Sequence, residues 1–246
     1  LFNEGRWTYS GFREWVLQAQ AILPENSYVL SGGPSMYWSG MVNSSGVKLA
    51  DKTSMKLNFT HDFSIETINV LEDLVAEGCY AINEIGYDEK CLPFREKRAI
   101  FQPGEYWFVR AANRWPADLF GEGTTEYGDV PYPYMDTVKK EDTKVNFIGE
   151  SVVMMLAGRS YPAETEIKNS SLKSRIDDPE SIAAAMFYDG SKTIFDPLFD
   201  SSFQHDYTGE TTTAVINSVK GADAVSEFDA IYSAVETKFI IAYGSN

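Results

Sequence analysis

The chain has 246 residues, of which 43% are hydrophobic and 14% aromatic, so it can bury one large core or two small ones. Its formal net charge of −15, from 21 basic and 36 acidic residues, disfavours binding to nucleic acids and to anionic membranes. No window approaches about 18 consecutive apolar residues, so no transmembrane helix is predicted.

Signals of export are sparse. The chain begins Leu1-Phe2-Asn3, without an initiating Met or a recognisable signal peptide. We therefore expect it to be part of a longer chain that carries its targeting information upstream. Three glycosylation sequons start at Asn43, Asn58 and Asn169, and chance occurrence is the default interpretation.

The chain has two cysteines, Cys79 and Cys91, and two histidines, His61 and His205. A zinc site needs more ligands at short spacing, so neither a metal nor a cofactor is expected. A disulfide that closes a short loop in an exported protein and two unpaired thiols both fit this spacing.

A first helix is expected after Thr8 or Ser10, either of which can act as its cap. Trp7 precedes the cap, where it would pack as a hydrophobic staple, and we place Trp7 and Trp15 in the core. Pro24 ends the helix. Its apolar face, repeated at helical spacing, consists of Phe12, Trp15, Val16, Ala19 and Ile22.

A short strand, Tyr28 to Leu30, runs into Gly32-Gly33-Pro34. These glycines are no phosphate loop, because the Lys-Ser/Thr that such a loop needs does not follow them. Tyr37 and Trp38 come next, among Gly and Ser residues that supply little apolar surface. This context favours a position of both aromatic side chains on the wall of a cleft.

A short extended piece, Met55 to Phe59, precedes a helix that packs on the core. Ser64 is its candidate cap and Gly78 its stop. The apolar face of this helix consists of Ile65, Ile68, Leu71, Leu74 and Val75.

The stretch from Phe94 to Trp107, FREKRAIFQPGEYW, is the feature around which the chain is organised. A short apolar strand, Ala99 to Phe101, is broken by Pro103 and Gly104, which together mark a turn. The turn presents Tyr106 and Trp107 at a strand end, a common place for ligand contacts. From this stretch alone, a core position and a ligand contact both remain open for the two aromatics.

The glycines at 121, 123 and 128 do not form a dinucleotide fingerprint, because an extended segment, Asp129 to Pro133, follows them in place of a helix. That segment is the best candidate for a crossing between two lobes. Residues 145–156 read as one or two strands, and Asp178-Pro179-Glu180 reads as a capped helix start. A short helix is expected over 212–219. The apolar face of a long final helix consists of Val225, Phe228, Ile231, Val235 and Phe239.

Catalytic motifs are scarce. Two histidines nearly exclude His-based triads, and no G-x-S-x-G nucleophile elbow is present. Glu105, with Glu84 or Asp88 as its partner, could serve a glycosidase. Aromatic walls with polar edges also hold a sugar without catalysis, because the apolar face of a pyranose stacks on a ring while its hydroxyls meet polar groups.

Four segments together resemble a known family. They are Glu4-Gly5-Arg6-Trp7-Thr8-Tyr9, the piece from Gly46 to Tyr80, the stretch FREKRAIFQPGEYW and Gly128-Asp129-Val130-Pro131-Tyr132-Pro133. In this order they are similar to the extracellular solute-binding proteins of ABC importers, of the sugar-binding type related to maltose-binding protein. The chain departs from the family's F-x-x-G-x-x-A-M pattern in two places: the family's glycine is Lys97 here or is shifted, and its Ala-Met is Ala99-Ile100.

The resemblance implies an α/β, two-lobe fold of the periplasmic-binding-protein type, here mainly the second lobe plus part of the first. Residues 1–129 would form the main part of the second lobe. Residues 130–200 would belong to or cross into the first lobe, and residues 201–246 would supply the closing helices. The same resemblance implies a monomeric cell-surface lipoprotein or periplasmic protein.

The implied function is capture of a sugar or oligosaccharide outside the membrane and its delivery to the permease subunits of an ABC transporter, without catalysis. A glycosidase using Glu105 and a noncatalytic surface interaction module are the alternatives. The expected ligand-binding residues are Trp107, Tyr106, Trp38, Tyr37, Trp115, Asn113 and Arg110.

Overall fold

The computed structural model describes residues 1–83, 92–104, 128–146, 178–188, 192–199 and 209–244. In these ranges the chain is a mixture of helices and parallel sheet. The helices are α1 (Tyr9–Gln20), α2 (Pro34–Ser44), α3 (Asp62–Ala76), α4 (Leu92–Arg95), α5 (Pro179–Phe187), α6 (Glu210–Val219) and α7 (Ala224–Tyr243). The strands are β1 (Tyr28–Gly32), β2 (Ala50–Asp51), β3 (Lys56–Leu57), β4 (Tyr80–Ile82), β5 (Ala99–Phe101), β6 (Val145–Asn146) and β7 (Thr193–Ile194).

The main sheet has three parallel strands in the order β4-β1-β5. Leu30 of the central strand is opposite Tyr80 on one side and Phe101 on the other. Strand β1 is buried from Val29 onward, as expected of a central parallel strand covered by helices on both faces. The predicted strands at 28–30 and 99–101 are therefore confirmed, while β4 was not predicted.

Helix α1 begins as its sequence predicts. The Thr8 side chain accepts a hydrogen bond from the backbone N–H of Gly11, and the rings of Trp7 and Phe12 meet edge to face at 5.2 Å. Together these contacts form the capped and stapled helix start. The helix ends at Gln20, so Ile22 lies beyond it and is 85% exposed. The assignment of Ile22 to the apolar face is therefore wrong.

Helix α2 was not predicted. Its N-cap is Gly33, and Pro34 occupies the first turn, where its fixed φ suits a helix and no N–H is needed. Most of its residues are buried, including polar Ser39 and Asn43. A Cβ at Gly40 would lie 2.5 Å from the ring of Tyr132, so a small residue there lets another part of the chain pack closely.

Helix α3 begins at Asp62, with exposed His61 at its N-cap position, and Ser64 lies buried inside the first turn. Gly78 has φ +70°, a left-handed conformation that ends a helix at little cost for glycine. The expected stop and a core of Ile68, Leu71 and Leu74 are confirmed.

The extended segment after Gly128 runs beside the start of α1. The indole N–H of Trp7 donates to the carbonyl O of Pro131 at 2.7 Å, and an isolated parallel bridge joins Thr8 and Tyr134. Farther along, Asp129 N–H donates to Ser181 Oγ. The predicted extended conformation is thus held by contacts to two helix starts.

Helices α5 and α7 have side-chain caps, whereas the N-cap of α6 is Gly209. Asp178 accepts a hydrogen bond from Ser181 N–H at 2.7 Å, which confirms the predicted start of α5, and Asp223 caps α7. On α7, Phe228 and Val235 are buried as expected. Val225 is 51% exposed, so its assignment to the buried face is wrong.

One cluster of buried side chains joins α1, α2, α3, α6 and α7 with residues 134–135 and with residues of the 184–198 region. The division of the chain at residues 130 and 200 stays a prediction. None of the described helices is long and apolar enough to span a bilayer.

Candidate ligand site at the strand ends

The order of the main sheet places a candidate site at its carboxyl edge. From the central strand β1 the chain first adds β4 on one side and then β5 on the other, so the strand order reverses between β1 and β5. In open α/β sheets, ligands bind outside the carboxyl ends of the strands at such a point. We use the name strand-end cluster for residues 32–35, which begin at the last residue of β1, together with residues 102–104, which follow β5.

The two halves of the strand-end cluster lie in close contact. Gly32 has φ +106°, and a Cβ there would lie 2.6 Å from Cδ of Pro103. Ser31 Oγ lies 2.8 Å from Oε1 of Gln102, within hydrogen-bonding distance. Only glycine adopts this backbone conformation readily and also lacks the Cβ that would clash with Pro103.

The third strand end is tied to the same point. The carbonyl O of Gly32 accepts hydrogen bonds from Tyr80 Oη at 3.0 Å and from the backbone N–H of Asn83 at 3.1 Å. Strand β4 therefore fixes the carbonyl at the exact position where β1 gives way to α2. Residues 32–37 are all buried, whereas Gln102 is half-buried and Gly104 is exposed.

Tyr37, one turn into α2, is the most informative side chain of the site. It is 4% exposed, and its ring meets Tyr80 and Tyr132 edge to face at 5.4 and 6.0 Å. Burial raises its pKa well above the ordinary value for tyrosine. Within the described part of the chain, its hydroxyl has no hydrogen-bond partner. Leaving a buried hydroxyl without a partner costs about 1–3 kcal/mol, and the hydroxyls of Tyr134 and Thr212 are buried in the same way.

Trp38, the neighbouring candidate, lies in the core. It is fully buried, its indole N–H donates to Ser64 Oγ at 3.0 Å, and its ring stacks on Phe228 at 5.6 Å. The small residues beside Trp38 in the sequence favoured a cleft wall. Its apolar partner instead comes from the distant helix α7, so Trp38 presents no surface to a ligand.

The remaining candidates lie outside the described residues. These are Tyr106, Trp107, Arg110, Asn113 and Trp115, the acidic residues Glu84, Asp88 and Glu105, and Cys91. The residues that lead toward Tyr106 are described: β5 ends at Phe101, Pro103 is buried and Gly104 is exposed.

Reactive groups elsewhere are few. Cys79 is buried and has no disulfide partner among the described residues, and burial raises the pKa of its thiol. Cys91 lies outside the described residues, so a Cys79–Cys91 disulfide and two unpaired thiols both stay open. His61 is exposed and stacks on Phe63. Among the described residues, no group of three His, Cys, Asp or Glu side chains could hold a metal ion.

Sequence reasoning missed three polar groups of the site, Ser31, Asn83 and Gln102. The position of Gln102 could have been predicted, because it directly follows a predicted strand and precedes Pro-Gly. The position of Asn83 could not, because the strand before it, β4, has only three residues and was not predicted.

No family model matches this sequence, and a search of curated proteins returns no significant match. The resemblance to solute-binding proteins therefore depends on the four sequence segments alone.

Proposed function

We propose that this chain is the larger part of an extracellular solute-binding protein that captures a sugar or oligosaccharide and delivers it to the permease of an ABC importer. The proposed protein is a monomer that performs no catalysis and needs no cofactor. The observation that carries the proposal is the buried, unpartnered hydroxyl of Tyr37 beside the point where the strand order reverses.

The chemistry around Tyr37 favours a neutral ligand group. Besides burial, the groups that raise its pKa are two further tyrosines, Tyr80 and Tyr132. A phenol with such neighbours suits the hydroxyl of a sugar, which can both donate and accept a hydrogen bond. A carboxylate or phosphate in this position would need a cation to offset its desolvation.

Lys97 also supports the resemblance. It stands where the family's F-x-x-G pattern has glycine, and its φ is +56°. This is the left-handed region that glycine adopts without strain and that other residues seldom adopt. The backbone at this position thus has the conformation that a glycine would supply.

The contact between two of the segments that carry the resemblance is a third support. Trp7 and Thr8 belong to the first segment, and Pro131 belongs to the second. The Trp7 indole joins Pro131 at 2.7 Å, and Thr8 forms its bridge one residue beyond the second segment, at Tyr134. Chain segments that connect two lobes are expected to lie together at a hinge.

The proposed mechanism is closure of two lobes about this hinge. A ligand that contacts both lobes binds the closed form better and shifts the population toward it. The described residues would contribute the Tyr37 hydroxyl and the polar strand ends, Gln102 and Asn83. Tyr106 and Trp107 would contribute an aromatic surface after β5.

Calorimetric titration of the complete reading frame against mono- and oligosaccharides tests the proposal. We expect binding of one sugar class without product formation, and an approximately tenfold weaker affinity for Tyr37→Phe because one hydrogen bond is lost. Tyr232→Phe, a half-buried tyrosine on α7, is the matched control and should bind normally. Absence of binding across the panel would contradict the proposal, and released sugar products would favour a glycosidase.

A further inference from the structure

A separate cleft of about 370 Å³ lies along the N-terminal half of α1, and its lining includes Arg6, Gly11, Glu14, Trp15 and Gln18. Its volume falls in the range of small-molecule sites, about 300–1,000 Å³. Gly11 shapes this cleft, because a Cβ there would clash with the carbonyl O of Arg6. The loop before α1 can therefore lie directly against the helix.

Trp15 provides a fixed aromatic surface in the cleft. Its half-buried ring is held by Trp7 at 6.3 Å and by Phe101 at 5.4 Å, both at steep angles. The cleft therefore offers an aromatic ring whose position is fixed by two neighbouring rings.

The polar groups of the cleft include both hydrogen-bond donors and hydrogen-bond acceptors. Gln18 Nε2 donates to Glu14 Oε1 at 3.1 Å, which leaves the amide oxygen of Gln18 and the second carboxylate oxygen of Glu14 as acceptors. The guanidinium of Arg6 is paired with Glu4, so its charge is already compensated. A ring beside hydrogen-bond donors and acceptors matches a polyhydroxylated ligand, whose hydroxyls can both donate and accept.

We propose that this α1 cleft is a second carbohydrate-contact site, in which the apolar face of a neutral pyranose stacks on Trp15. Hydroxyls of the same sugar bind Glu14 and Gln18. The lining of this cleft includes none of the residues of the strand-end cluster, although Trp15 packs on Phe101, which directly precedes Gln102.

The test follows the side-chain N–H signal of Trp15 by nuclear magnetic resonance in the complete reading frame, titrated with methyl glucoside, methyl galactoside and maltose. The chain has five tryptophans, and Trp15→Phe assigns the signal. We expect a saturable shift for at least one sugar. The double variant Glu14→Ala/Gln18→Ala should weaken the midpoint about tenfold, since it removes two hydrogen-bonding groups.

Glu25→Ala, an exposed change outside the cleft, is the control and should leave the midpoint unchanged. Tyr37→Phe should also leave the Trp15 titration unchanged, which separates this site from the strand-end cluster. An unmoved Trp15 signal, or an unchanged midpoint in the double variant, overturns the proposal. Loss of the Trp15 response in Tyr37→Phe overturns the independence of the two sites.

Discussion

Tyr80 donates a hydrogen bond of 3.0 Å from its hydroxyl to the carbonyl O of Gly32. This bond joins an edge strand of the main sheet to the last residue of the central strand. Because Gly32 is also the residue at which β1 turns toward α2, the bond holds the carboxyl edge of the sheet in one conformation. The geometry of the strand-end cluster therefore depends on this pair.

We expect Gly32→Ala to destabilise the protein by at least about 2 kcal/mol, because a Cβ would meet both a positive φ and the ring of Pro103. Gly104→Ala is the matched control. Among the described residues, no atom lies within 4 Å of a Cβ built at Gly104, so its substitution should be nearly neutral. Urea unfolding of both variants measures the difference. Equal stability would mean that the strand ends are not in close contact.

Two tyrosines next to the strand-end cluster, Tyr37 and Tyr80, should respond differently to removal of their hydroxyls. Tyr80→Phe should lower the free energy of unfolding by about 1 kcal/mol, since its hydrogen bond to Gly32 is lost. Tyr37→Phe should leave the unliganded protein unchanged or more stable, because the hydroxyl it removes is unpaired. Urea unfolding without ligand makes the comparison. Destabilisation by Tyr37→Phe would indicate that its hydroxyl has a partner in solution.

The buried carboxyl group of Asp196 should stabilise the protein more as the pH falls, which is the opposite of the usual effect of a carboxyl group. Its fully buried carboxylate accepts hydrogen bonds from Asn43 Nδ2 and from the backbone N–H groups of Leu49, Ala50 and Leu198. Burial nevertheless raises its pKa above the ordinary value of 3.8. A raised pKa means that the folded state binds this proton more readily than the unfolded state. The contribution of Asp196 is therefore greatest below pH 3.8 and is lost as the pH rises through the folded pKa.

The stability of the native protein minus that of Asp196→Asn should therefore increase as the pH falls from 7 toward 4. Asp178→Asn is the control, because hydrogen bonds from Ser181 lower the pKa of Asp178. Its contribution is present above its unfolded pKa and is lost as the pH falls through the folded value, so the slope should have the opposite sign. Urea unfolding at several pH values gives both slopes, and equal signs would contradict this assignment.

Lys97 gives a prediction of increased stability. Its φ of +56° is strained for a residue with a side chain, and glycine would relieve that strain. We expect Lys97→Gly to be more stable than Lys97→Ala by about 1 kcal/mol. The alanine variant controls for loss of the exposed lysine side chain. If thermal unfolding ranks alanine above glycine, the left-handed conformation at this position is not retained in solution.

Local features of this fold could be predicted from the sequence. The contact between Trp7 and Phe12 spans one helical turn, and the cap at Asp178 depends on residues two or three positions away. The strand at Ala99–Phe101 is bounded by Pro103 and Gly104, which act through their own backbone preferences. Each signal lies within a few residues of the element that it specifies.

Features that depend on distant partners could not be predicted. Trp38 is in the core because Ser64 and Phe228, from two other helices, satisfy its N–H and cover its ring. The sequon at Asn43 likewise gave no sign that Asn43 is 1% exposed, with its amide donating to Asp196. Such an asparagine is inaccessible for glycosylation in the folded protein. Strand pairing and burial, rather than local propensity, decide these positions.

Trp107 and Trp38 should separate ligand binding from folding. Trp107 follows the turn at the end of β5, and Trp107→Ala should lower sugar affinity by at least ~1 kcal/mol, the scale of one aromatic contact, without a matching loss of stability. Trp38→Phe is the contrasting variant. It should destabilise the protein by about 1–3 kcal/mol, because Ser64 loses its partner and a void is left beside Phe228, while the folded fraction keeps its sugar affinity. Calorimetric titration paired with urea unfolding measures both quantities for each variant. Unchanged affinity and stability in Trp107→Ala would remove Trp107 from the site. Weaker binding by fully folded Trp38→Phe would show that the core around Trp38 also shapes the ligand site.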